Sequence, residues 1–70
     1  MFALCEILFD GCYETVVIAV GTGTLGDRDD EKIFFYVDSE EDLKSLMQDG
    51  VEDFTVTEIK GLYENLSDLF

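Results

Sequence analysis

Seventeen acids against four bases leave this 70-residue chain at a net charge of −13 and a sequence pI near 4.1. Such a surface repels phosphate, which argues against direct nucleic-acid or anionic-membrane binding and favours a basic protein surface as partner. The 47% apolar share is too high for a disordered chain, and the length suits one small α+β domain, 1–70, burying only about 60% of its unfolded surface.

Histidine is absent, which removes the commonest general base and the usual zinc ligand, and two cysteines cannot hold zinc alone. No metal and no cofactor are expected. The start, MFALCEILF, lacks a basic leader and is broken by Glu6, and no apolar run reaches membrane-spanning length. A cytoplasmic location with free thiols is the expectation.

The first elements read as a β-hairpin. The runs FALCEILF and CYETVVIAV flank Asp10-Gly11, a pair that favours a type I′ turn because both central residues need positive φ. A two-residue turn sets the register: Phe9 faces Cys12, Ile7 faces Glu14 and Cys5 faces Val16. One face then carries Ala3, Cys5, Ile7, Val16, Ile18 and Val20. The other carries Phe2, Leu4, Leu8, Tyr13 and Val17. Both are largely apolar, unlike an antiparallel sheet with one wet side. Cys5 and Cys12 share a face but lie beyond the ~7 Å Cα reach of a disulfide, so buried free thiols are expected. Glu6 lies opposite Thr15, and Glu14 points to the other face, so the two carboxylates cannot act as a catalytic pair.

The next segment, VVIAVGTGTLGD, contains a literal G-x-G-x-x-G at Gly21, Gly23 and Gly26, and the following run, IFFYVD, ends in Asp38. That combination resembles a dinucleotide fingerprint, in which a helix N-terminus after the third glycine holds the pyrophosphate. Only Asp27–Lys32 separates Gly26 from the next strand, which leaves no room for a useful helix, and that stretch is mostly acidic. The glycines are read instead as a wide hairpin loop over 21–32, with Ile33–Val37 as the third strand. DRDDE, Asp27–Glu31, does not have the ligand alternation of an EF-hand loop and reads as a solvated acidic loop.

Asp38-Ser39-Glu40-Glu41-Asp42 offers a helix cap at Asp38 or Ser39, with acids for the first turn. Leu43, Leu46 and Met47 form an apolar stripe, and Gly50 ends the helix, with Val51 touching Leu46 in a Schellman close. FTVTEI, Phe54–Ile59, alternates as a fourth strand stopped by Lys60-Gly61. Leu62, Leu66 and Leu69 at i, i+4 and i+7 point to a short C-terminal helix.

The predicted architecture is a two-layer α+β sandwich of order β-β-β-α-β. Three strands form an antiparallel meander, and the fourth runs parallel to the first and third. This topology would bring Asp27, Asp29, Asp30 and Glu31 of the loop beside Asp49, Glu52 and Asp53 at the end of the helix. Asp10 would join Asp38, Glu40, Glu41 and Asp42 at the other end. The first cluster has no capping role and is the expected partner-binding site.

The function read from this is a non-enzymatic interaction module that binds a basic protein surface, one form being a nucleic-acid mimic that inhibits a nucleic-acid-binding enzyme. The competing reading is a structural or assembly protein whose charge only confers solubility. The apolar second sheet face requires a cover. A second copy forming a homodimer is the expectation, and the segment Leu62–Phe70 is the alternative.

Overall fold

The computed structural model describes residues 1–21, 32–51 and 53–69. Strand β1 (Phe2–Phe9) and strand β2 (Cys12–Val20) form the expected hairpin. Asp10 and Gly11 have φ of 51° and 81°, as the type I′ turn requires. The register is the predicted one, with Phe9 opposite Cys12, Ile7 opposite Glu14 and Cys5 opposite Val16.

The third strand departs from expectation. Strand β3 (Phe35–Val37) is three residues long and pairs parallel to β2, with Ile18 opposite Phe35 and Val20 opposite Val37. The connection is therefore a crossover and not a hairpin. Gly21 starts it in the left-handed region at φ 70°, donating to the Val37 carbonyl at 2.8 Å. Parallel pairing supplies the strand direction that a dinucleotide fingerprint needs, but only 27–34 separate Gly26 from β3, too few for a useful helix, and the sequence there is largely acidic.

Helix α1 (Glu40–Gln48) follows, with Ser39 as N-cap in extended conformation. Its acids Glu40, Glu41 and Asp42 complement the positive end of the helix dipole. Gly50 adopts the expected left-handed conformation, φ 72°, but the helix does not close as a Schellman motif. The Val51 amide donates to the Phe54 carbonyl at 2.9 Å, and Val51 is exposed, so the next strand claims the group the helix would have used.

Strand β4 (Phe54–Tyr63) pairs antiparallel with β1, not parallel as predicted, giving a four-stranded mixed sheet in the order β3-β2-β1-β4. It stays parallel to β3. It also runs through Lys60-Gly61 instead of stopping there. Two register shifts, between Leu4 and Cys5 and between Glu6 and Ile7, absorb the irregularity as bulges. The C-terminal helix reduces to a single 3₁₀ turn, Leu66–Asp68, because Leu62 is taken up by β4.

The core is two-sided. On the helix side, Ala3, Cys5, Ile7, Ile18, Val20, Phe54 and Val56 pack with Leu43 and Leu46 of α1. On the outer side, Phe2, Val17 and Ala19 are buried under Ile33, Tyr36, Leu66 and Leu69. The C-terminal turn thus covers one end of the outer face, while Leu8 and Tyr13 at the hairpin end are exposed. Phenylalanines close the helix side at the hairpin end. Phe34 meets Phe9 and Phe54 edge-on, with ring centroids 5.8 and 5.0 Å apart, and Phe35 meets Phe54 at 5.2 Å.

Candidate interaction surface

The polarity of β3 decides where the acids go. Val37 sits opposite Val20 and Phe54 opposite Phe9, so α1 starts at the sheet end where β2 finishes and ends at the hairpin tip. The loop therefore leaves β2 beside the start of the helix, where a Cβ on Gly21 would lie 3.3 Å from the Asp38 carbonyl. It does not leave where the helix finishes, as the predicted topology had it. Of the expected site, Asp49 and Asp53 share the hairpin end with Asp10. Asp27, Asp29, Asp30, Glu31 and Glu52 lie outside the described residues. Asp38, Glu40, Glu41 and Asp42 gather at the opposite end without Asp10.

Solvent reaches nearly all of the described acids. Of the twelve described acids, eleven are exposed and only Glu6 is half-buried, and no polar or charged side chain is buried among the described residues. Glu6 finds its hydrogen bond on β4 instead of Thr15. The Thr57 hydroxyl donates to Glu6 Oε1 at 3.2 Å and to the Glu6 carbonyl at 3.0 Å. Thr57 is the extra residue of a bulge, which frees it to reach back across the strand pair.

The thiols differ. Cys5 is buried in the helix-side core, and burial pushes its pKa up to about 11. Cys12 is exposed, contrary to the expectation of two buried thiols. Among the described residues no group of three or more potential ligands is placed to hold a metal ion.

Sequence reasoning missed an open groove of about 560 Å³ beside β2. Leu4, Val16, Val17, Ile33 and Phe34 form its apolar walls, with Thr15 and Lys32 at its rim. It exists because the chain approaching β3 meets β2 only from Val17 onward, where the Phe34 amide donates to the Val17 carbonyl at 2.8 Å.

No helix is long and apolar enough to cross a membrane among the described residues. Comparison with protein-family models, with curated proteins and with solved structures found no match.

Proposed function

We propose that this protein is a small non-enzymatic interaction module whose acidic surface engages a basic surface on a partner protein. The observation that carries this reading is the exposure of the acids: at net charge −13, eleven of the twelve described carboxylates face solvent and none serves a packing role. Gathered like charges repel and slightly destabilise a fold, so their retention is better explained by what they attract. A protein that occupies the site of a nucleic-acid-binding enzyme, with carboxylates in place of phosphates, is one form of such a module.

The test is capture of a partner from the native host at low and high salt, followed by an Asp29→Asn, Asp30→Asn, Asp53→Asn variant. Association should slow in the variant and weaken with salt, because steering depends on ionic strength. Melting temperature should hold or rise. Competition by excess DNA or RNA would identify the mimic form. Unchanged affinity in the variant and at high salt would return the charge to a solubility role.

A further inference from the structure

We propose that the open edge of β2, Cys12–Val16, receives an extended basic segment of the partner protein by strand addition, an inference that rests on the acidic surface being partner-binding. The edge follows from the sheet's own bonds. The Val20 amide donates to the Met1 carbonyl, so Val20 faces β1, and the Val17 carbonyl accepts from Phe34, so Val17 faces away from it. Strand residues alternate, hence the N–H and C=O of Tyr13 and Thr15 also point away from β1. β3 pairs only with Ile18–Val20, and no described strand pairs with this side of Cys12–Val16. Tyr13 and Thr15 are exposed.

An unpaired row of amides and carbonyls is a template for another strand, and proteins usually blunt such edges. The sheet's other edge, on β4, is blunted: two bulges interrupt it, and Glu58 and Lys60 stand exposed on it. The open stretch of β2 has no bulge against β1.

Charge and shape define the occupant. Glu14 is exposed on the helix side of this edge, and Asp10 lies at the hairpin tip. Tyr13 and Thr15 face the outer side, where the groove opens at Thr15 toward Val17 and Ile33. An added strand would alternate in the same way, so a residue set against Glu14 is basic and its neighbours are apolar, one of them entering the groove. A second copy would set −13 against −13 and another Glu14-bearing edge against this one, which favours the basic partner.

The probe is a short synthetic peptide of alternating lysine and valine, titrated at low salt. Binding is expected, with the Tyr13 and Thr15 amides becoming slow to exchange. Thr15→Pro removes an outward N–H that no described strand of the free sheet uses, a position where edge strands tolerate proline. It should keep the fold and weaken binding by about tenfold or more. N-methylating alternate peptide residues should do the same without touching the protein. Binding that is salt-sensitive but indifferent to Thr15→Pro and to N-methylation would overturn strand addition and leave the acidic reading standing. Loss with both changes but no salt dependence would support the edge and count against the acidic reading. No binding at low salt would overturn the edge proposal. So would a dimer abolished by Thr15→Pro, which would make a second copy the occupant.

Discussion

Val17–Val20 is buried on both sides of the sheet, whereas Cys12–Thr15, in the same strand, is exposed on both. Local sequence does not explain this, since both halves keep strand geometry and pair with β1 throughout. Their neighbours do. The inner half has β3 alongside, α1 above and the C-terminal turn with Ile33 and Tyr36 below. Among the described strands, the outer half has β1 alone. Burial in a chain this small is rationed by how far the short elements reach, and β3 reaches only three residues. The half left open is the one beside the groove and under the acids of the hairpin tip.

The largest test of that contrast sets Ile18 against Glu14. Ile18 is fully buried between the sheet and α1, so Ile18→Ala should cost about 2–5 kcal/mol in urea unfolding. Glu14→Ala, in the exposed half, should stay within about 0.5 kcal/mol of the parent. Similar losses at the two positions would mean the halves are not packed differently.

The thiols sharpen the contrast through pH. Cys5 holds its proton in the fold to about 11, against 9.0 for the free thiol. Its stabilising effect is therefore complete below pH 9 and lost as pH rises through 11, because over that range the unfolded chain releases a proton the folded one retains. Stability should fall by about 2–3 kcal/mol over that window, and Cys5→Ala should flatten the fall. Exposed Cys12 should react with a thiol reagent in the native state while Cys5 does not. Equal labelling rates would contradict the assigned burial.

Two glycines give a smaller contrast. Both hold positive φ, but a Cβ on Gly50 would lie 2.5 Å from Thr55 Oγ1 and 3.0 Å from the Phe54 carbonyl, while Gly11 has nothing within 4 Å. Gly11→Ala should cost about 1 kcal/mol from backbone conformation alone, and Gly50→Ala at least about 2 kcal/mol. Thermal melts of the two variants would show the difference.

Local chemistry made much of the fold readable. Asp10-Gly11 specified its turn and thereby the whole β1–β2 register. Ser39 with its trailing acids, and Gly50 with its left-handed backbone, bounded the helix. The direction of β3 was not readable, because Ile33–Val37 is apolar at every position and a period of two cannot orient such a run. Loop length did not resolve it either: residues 21–34 suit a wide hairpin or a parallel crossover equally. That one polarity carried errors into β4 and into the grouping of the acids. Lys60-Gly61 misled for another reason, since a glycine inside a strand can mark a close approach, and a Cβ there would lie 2.9 Å from the Tyr63 ring. The groove depends on where two chain segments diverge, and no local pattern encodes that.

Amide hydrogen exchange along β2 tests the open edge most directly. Glu14 and Val16 face β1, and Ala19 lies between β1 and β3, so their amides should exchange slowly. Tyr13 and Thr15 should exchange fast, giving an alternating pattern in the outer half and continuous protection over Ile18–Val20. Protection of Tyr13 and Thr15 equal to that of Ala19 in the free protein would show that the edge is already covered, and would contradict the account.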